Sequence, residues 1–496
     1  MNTITILCEC GAHCRHRLRM KASPVNVAAS AVGKMMAYAA SALLLLTLWA
    51  VPAHAALTEV AAILNPTPDT ADAFGVDVAI DGDLAIVGAY LEDTNAANAQ
   101  PITDAGAAYI YQRSGGAWTL VQKLVPNDRH SHQFFGNHVA ISGGHTALIG
   151  AGSGVTNGVP NAGAAYFFVK VPNGVWQQAQ KVSAPTPEIA ANFGTALALD
   201  AAGDLAVIGA WREPAGGPIK QSGAAYVYQR QSFTSWQLVQ RLVSPNPELY
   251  GHFGAAVALR NDHIMIGAPH ESIDPTTALS VSKSGAVHHF VKTGSTWAPA
   301  QRILAADRNP DDWFGKALAF NGKLLVVGSA GNDRDANGNG PVLNNAGAAY
   351  VFNATGPGYT AWTQTQKLVL PAPYRTAGDT FGASVALDKN AQYLVVGAPG
   401  EGHDVDEVSN PITATGSAYV YKLTGSAPPW NATFLQKLVA SDRSYHQVFG
   451  YRVGVTVTGN SNAPHILVGS YQKIVPASAN PPTPAMPTVG KIYFFD

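Results

Sequence analysis

Side chains able to do chemistry gather in three places along this chain. The first is Asp333-x-Asp335-x-Asn337-Gly338-Asn339, where oxygen-bearing residues alternate and a glycine stands at the bend. Such spacing opens a calcium loop, because a hard cation collects oxygens from alternate positions around a sharp turn. Calcium held by Asp333, Asp335, Asn337 and Asn339 is therefore one expectation. Pro341 and Asn344 stand where such a loop needs further ligands, so a polar turn is the preferred reading. Asp404-x-Asp406 is a weaker instance of the same pattern. The second place is a recurring Asp-Arg pair. Arg129, Arg308 and Arg443 each follow an aspartate, Arg375 stands at a similar position, and His132 and His446 come three residues after Arg129 and Arg443. Arranged around one opening, Arg129, His132, Arg308, Arg375, Arg443 and His446 would bind an anionic or sugar ligand. The plainer reading is preferred, in which Asp caps a turn and Arg bridges neighbouring units. The third place is His288-His289, which reads as a packing substitution in a strand before it reads as a metal site. Trp118, Trp176, Trp236, Trp297 and Trp362 recur at one position and read as packing in preference to a sugar platform. No G-x-S-x-G elbow, H-E-x-x-H, P-loop or S-x-D-x-G-x-x-W repeat occurs. A pair of carboxylates for glycoside hydrolysis is defined in space, so sequence leaves it open.

The bulk of the chain narrows the classes further. Of 496 residues, 47% are apolar and only 13% charged, with 49 glycines and 32 prolines. That mixture favours short strands and many turns. A basic stretch with Arg15, Arg17, Arg19, Lys21 and Lys34 precedes an apolar run over residues 39–51 and the small-x-small sequence Ala53-His54-Ala55. Residues 1–55 thus read as a secretory signal peptide, too short in its apolar part to span a membrane comfortably. All three cysteines, Cys8, Cys10 and Cys14, lie there, so the mature chain has no disulfide framework. Removing the leader takes 5 of 31 basic and 1 of 32 acidic residues, leaving 26 against 31, a charge of about −5. An acidic chain without clustered Lys and Arg argues against a nucleic-acid partner.

Internal repetition sets the architecture. A Phe-Gly pair occurs at Phe74, Phe135, Phe193, Phe253, Phe314, Phe381 and Phe449, about 62 residues apart on average. Each is followed by an apolar run ending in Gly-Ala or Gly-Ser, then by a run such as GAAYIY. In most units a fourth run follows, such as WTLVQKL at 118–124. All four have the length and composition of β-strands. Seven units of four antiparallel strands predict an all-β, seven-bladed β-propeller over residues 56–496. The last unit ends at KIYFFD with no fourth run, while TEVAAIL at 58–64 precedes the first Phe-Gly. The N-terminal strand is therefore expected to pair in the last blade and close the ring. An outer-membrane barrel is disfavoured, since its strands are longer and alternate strictly.

These motifs resemble the FG-GAP repeats that build the propeller of integrin alpha subunits and of many secreted bacterial proteins. The likeness rests on seven Phe-Gly pairs and on literal Gly-Ala-Pro at 267–269 and 397–399. It covers about residues 57–496 and is nearer the bacterial secreted type. Integrin-type repeats often carry a calcium loop between the first and second strands. Here that connection is a tight turn, DGD at 81–83 or DKNAQ at 388–392, which puts calcium there in doubt. The resemblance implies a secreted, monomeric adhesion or binding module for an extracellular protein or glycan, engaged through the face bearing the long loops. On this reading the chain is not an enzyme. Two alternatives stay open: a polysaccharide hydrolase or lyase with a site built from the loops, and a metal-supported structural envelope protein.

Overall fold

The seven Gly-Ala or Gly-Ser runs explain the fold most directly. Each is a second strand buried along its whole length, as in Leu84–Ala89 and Tyr393–Ala398. Strands apolar on both faces need cover on both faces, and a ring of stacked sheets supplies it. The computed structural model describes residues 56–496 apart from 67–70, 217–218, 275–276, 278, 339, 371–374, 405–410, 426–428, 459–462, 472–477, 480–481 and 484–489. The signal peptide expected over 1–55 lies outside the described residues. Leu57–Asp496 is one compact unit of seven four-stranded antiparallel sheets. In blade one the strands Val78–Asp81, Leu84–Ala89, Ala107–Ser114 and Ala117–Leu124 pair in chain order. Blades two to six repeat that order. Blade seven takes Arg452–Val457, Pro464–Ser470 and Lys491–Phe495 and is completed by Glu59–Leu64. The ring closes as the repeat pattern predicts, with Thr58 and Asp496 exchanging backbone hydrogen bonds at 3.1 and 3.2 Å. No helix among the described residues is long and apolar enough to cross a membrane.

The repeated motif is a seam between blades. All seven Phe-Gly phenylalanines are fully buried. Six meet the tyrosine of the third strand, five of them edge-on, as Phe381 meets Tyr419 at 5.6 Å, and Phe253 meets His288 instead at 5.3 Å. The glycine of each second strand presses on the Phe-Gly carbonyl of the next blade. A Cβ on Gly397 would lie 2.0 Å from Gly450 O. At the rim, a glutamine of the fourth strand in blades one to six holds the start of the next blade's fourth strand by both backbone groups. Gln301 accepts from Trp362 N at 2.7 Å and donates to Trp362 O at 3.2 Å. Gln436 holds Leu57 the same way, at 2.9 and 2.8 Å. The recurring tryptophans pack along these seams, Trp236 stacking on Phe167 at 4.2 Å.

Candidate functional site: the loop-face mouth of the channel

The first strands of the seven blades stand around a central channel. Its loop-face end is a cavity of about 210 Å³ lined by residues just after each Phe-Gly, among them Asp77, His138, Thr195, Lys316, Ser384 and Arg452. The backbone here repeats while the side chains do not. The residue before each Phe takes a left-handed conformation in every blade, φ lying between 52° and 58° at Ala73, Phe134, Asn192, His252, Trp313, Thr380 and Val448. Seven-fold recurrence makes that geometry a property of the scaffold. The choice of His252, Trp313 and Phe134 at such positions, at a cost of about 1 kcal/mol or more each, belongs to the individual blades.

One arc of the mouth comes from blades three to five. Trp211 meets His252 edge-on at 4.5 Å, His252 lies 4.3 Å from His270, and His270 lies 6.5 Å from Trp313. Arg212 rests over Trp211 at 4.2 Å and Lys316 over Trp313 at 4.9 Å. Burial, then the charges of His270, Arg212 and Lys283, pulls His252 down to about 3. Burial, then Lys283 and Lys316, pulls His270 down to about 4 against an opposing pull from Asp311. Both imidazoles are therefore neutral at pH 7, each with a ring nitrogen able to accept. His252 is buried, and its Nε2 has no hydrogen-bond partner among the described residues; neither has Trp313 Nε1.

The opposite arc comes from blades seven, one and two. Tyr451 and Tyr471 meet edge-on at 4.5 Å, and Tyr90 lies 6.0 Å from Phe134. Beneath them Arg452 Nε donates to Asp77 Oδ1 at 3.1 Å, while Asp77 Oδ2 accepts from Val139 N at 2.9 Å. His138 approaches the same oxygen at 3.4 Å. Burial pushes the Asp77 carboxyl up, but the hydrogen bond to His138 and the Arg452 charge outweigh it and hold the group below its usual range. Arg452 is thus neutralised locally. Lys316 is not: its ammonium makes no hydrogen bond or ion pair among the described residues. Its side chain is open to water within the channel yet enclosed by protein, and that enclosure lowers its affinity for a proton.

The residues singled out in the sequence lie mostly elsewhere. Arg129 donates to Asp93 O at 2.6 Å, Arg308 to Ser272 O at 2.7 Å, Arg375 to Arg334 O at 2.9 Å and Arg443 to Gly402 O at 2.7 Å. Each guanidinium thus clips the long loop of the preceding blade. The aspartate before it serves its own blade, as Asp307 does in accepting from Tyr350 and Lys367 at 2.9 and 2.6 Å. His446 rests against Tyr445 at 4.0 Å. His132 pairs with Asp104 at 2.9 Å and reaches Phe134, ring centroids 5.9 Å apart. In the acidic run, Asp333 Oδ1 accepts from Asn345 N at 2.6 Å and Asp335 Oδ1 from Asn337 N at 3.1 Å. Asn339 and Asp406 lie outside the described residues. Among the described residues no three His, Cys, Asp or Glu side chains converge in a way that would hold a metal ion. His288 donates into a buried cluster in which Glu271 lies 2.9 Å from His288 and 2.7 Å from Arg302. That carboxylate is distant in sequence but adjacent in space.

Trp211, His252, His270 and Trp313 carry no motif and escaped the sequence reading. Aligning the seven repeats and asking which slots near each seam differ would have found them. They fall one or two residues after Gly-Ala and one residue before Phe-Gly.

The chain matches the FG-GAP repeat over residues 57–111, 118–168, 176–228, 297–352 and 362–421. No curated protein matches it. Among solved structures it is similar to a protein from Bacteroides uniformis named as a candidate 6-phosphogluconolactonase. Identity is 10%, the match covers 74% of this chain and 85% of that one, and the TM-score is 0.45. A likeness that slight assigns no activity here. The expectation that the chain is not an enzyme is corrected on the fold itself, since a propeller accommodates adhesion and catalysis alike. With five repeats matched over more than half its length and the same seam built in all seven blades, the chain belongs to the FG-GAP repeat family.

Proposed function

We propose that this propeller engages a polysaccharide at the loop-face mouth of its channel and acts on it there. The observation that carries the proposal is the arc Trp211–His252–His270–Trp313. Two half-buried indoles suit the apolar faces of sugar rings, and the rings are held by packing before any ligand arrives. Between them stand two neutral imidazoles, of which His270 is the less buried and the one a bound substrate reaches as a proton acceptor. An open face surrounded by loops admits a long polymer more readily than a closed pocket does. The leader read in residues 1–55 supports a substrate met outside the cytoplasm.

The test uses the chain without residues 1–55 and a panel of soluble polysaccharides. Binding is read by affinity electrophoresis and chain shortening by viscosity and new chain ends. The double variant W211A/W313A is expected to lose binding, and H270Q to bind normally but cleave at least tenfold more slowly. Cleavage unchanged in both variants would move the site elsewhere. Binding without cleavage in the unaltered protein would leave recognition as the function of the mouth.

A further inference from the structure

The charges around the mouth run against the charge of the chain. Without its leader the protein carries about −5, yet Arg212 and Lys316 sit at the mouth with no ion pair among the described residues. Most other cations of the loop face are matched: Lys123 with Glu92 at 3.0 Å, Arg241 with Glu213 at 2.8 Å, Lys437 with Glu401 at 2.9 Å. Arg212 and Lys316 instead each lie on an indole of the arc, Arg212 on Trp211 and Lys316 on Trp313. A cation beside an aromatic platform gives a negatively charged sugar two contacts at once, its ring face on the indole and its acidic group on the cation. Lys316 adds an enclosed position, since it points into the 210 Å³ cavity along with Thr195 and Ser384. A cation there has no carboxylate partner, so an acidic group entering the cavity would meet an uncompensated positive charge. Asp77, the acidic residue that lines the same cavity, is already committed to Arg452 and Val139.

We infer that the polysaccharide is anionic, its acidic groups read by Lys316 inside the mouth and by Arg212 at its edge. This rests on the reading of the arc as a sugar site. The shared chemistry is an acidic sugar, whose charge is a carboxylate or a sulfate ester. Neither cation touches the acid–base groups except through charge, so both act as specificity-determining contacts. The ammonium of Lys316 also helps to hold His270 neutral. An anion on Lys316 would offset that effect and raise the affinity of His270 for a proton, linking recognition to proton transfer at the neighbouring ring.

The experiment compares short oligogalacturonates, their methyl esters and a sulfated dextran of similar length by titration calorimetry. Methyl esterification removes the charge and keeps the ring, so it separates the two contacts. The unaltered protein is expected to bind the acid about tenfold more tightly than the ester. K316M and R212Q should each lower the ratio of acid to ester affinity by severalfold, with the thermal midpoint reporting that the ring still folds. W211A/W313A should weaken acid and ester together. Added salt should weaken acid binding and spare the ester. Tighter binding of the sulfated glycan, lost in K316M, would keep the inference and name sulfate as the group. Equal affinity for acid and ester, insensitive to K316M, would overturn the anionic reading and leave the sugar site standing. Absence of binding to every acidic and neutral glycan would overturn both.

Discussion

At the scale of single residues, burial decides which groups are charged, and histidine shows it most clearly. His289 stands where other blades carry Val, Ile or Phe. Trp362 Nε1 donates to its Nδ1 at 3.2 Å. An indole nitrogen only donates, so the His289 proton sits on Nε2 and is given to His263 Nδ1, 2.9 Å away. Burial, then His263, pulls His289 down to about 4. The unfolded chain binds that proton near pH 6.5, so between pH 6.5 and about 4 it takes up protons that the folded chain refuses. Stability from this site is therefore present above pH 6.5 and lost as pH falls toward 4, by roughly 2–3 kcal/mol. Asp312 and Asp379 act in the other direction, burial holding them up to about 7 and about 6. The net curve is flatter for that reason, and the informative quantity is a difference between variants. H289F copies Phe167, which stacks on Trp236 in blade two. Urea unfolding at pH 7 and pH 4.5 is expected to show a smaller acid loss in H289F than in the unaltered protein. An identical loss would mean that the histidine pair does not titrate in this window.

At the scale of elements, the glycines of the repeat are steric requirements with different strengths. Gly397 has no unusual φ, but a Cβ there would lie 2.0 Å from Gly450 O and 2.3 Å from Ser384 Oγ. The carbonyl belongs to the backbone of the next blade and cannot move alone, so G397A should destabilise by about 3 kcal/mol or more. Gly144 sits in an open turn at φ 70° with nothing near its would-be Cβ, so G144A should cost only about 1 kcal/mol. A shift in urea midpoint of equal size in both would show that the seam yields. The same contrast explains what the sequence made legible. Contacts such as Gly397 on Gly450 and Gln301 on Trp362 recur from blade to blade, so the residues they need recur too, and the propeller, its strand order and its closure could all be read. Asp-Arg recurs for the same reason, because Arg129, Arg308 and Arg443 each clip a neighbouring loop. The mouth is built from slots where the blades differ. Trp211 answers to Tyr90 in blade one and to Gly152 in blade two, and Lys316 to Thr195 and Tyr451. Periodicity reveals the slot and says nothing about its occupant, and only the ring brings Trp211 and Trp313, about a hundred residues apart, around one opening.

At the scale of the whole molecule, a site shared among blades survives only while the ring is shut. Trp211, His252 and Trp313 arrive from three successive blades and Tyr451 from a fourth, so any opening of the ring changes their spacing. The closure depends on one short strand. Glu59–Leu64 pairs antiparallel with Lys491–Phe495, Leu57 is held by Gln436 of blade six, and Glu59 accepts from Ser441 N and Oγ at 3.0 and 2.7 Å. Without residues 57–64, the strand Lys491–Phe495 becomes an edge of mostly apolar residues, and blade six loses the partner of Gln436. An unpaired apolar edge recruits strands from other molecules. Deletion of residues 57–64 is therefore expected to lower the thermal midpoint, broaden the transition and produce concentration-dependent association in light scattering. It should also abolish glycan binding at the mouth, although no deleted residue lies there. A synthetic peptide covering residues 56–65 should restore the midpoint and the binding together, because the strand's pairing partners all lie within the rest of the chain. A deletion variant that stays monomeric and melts as the intact protein does would show that the ring is held shut by its six other seams. Loss of binding that the peptide fails to restore, with the midpoint recovered, would place the binding site somewhere other than the channel mouth.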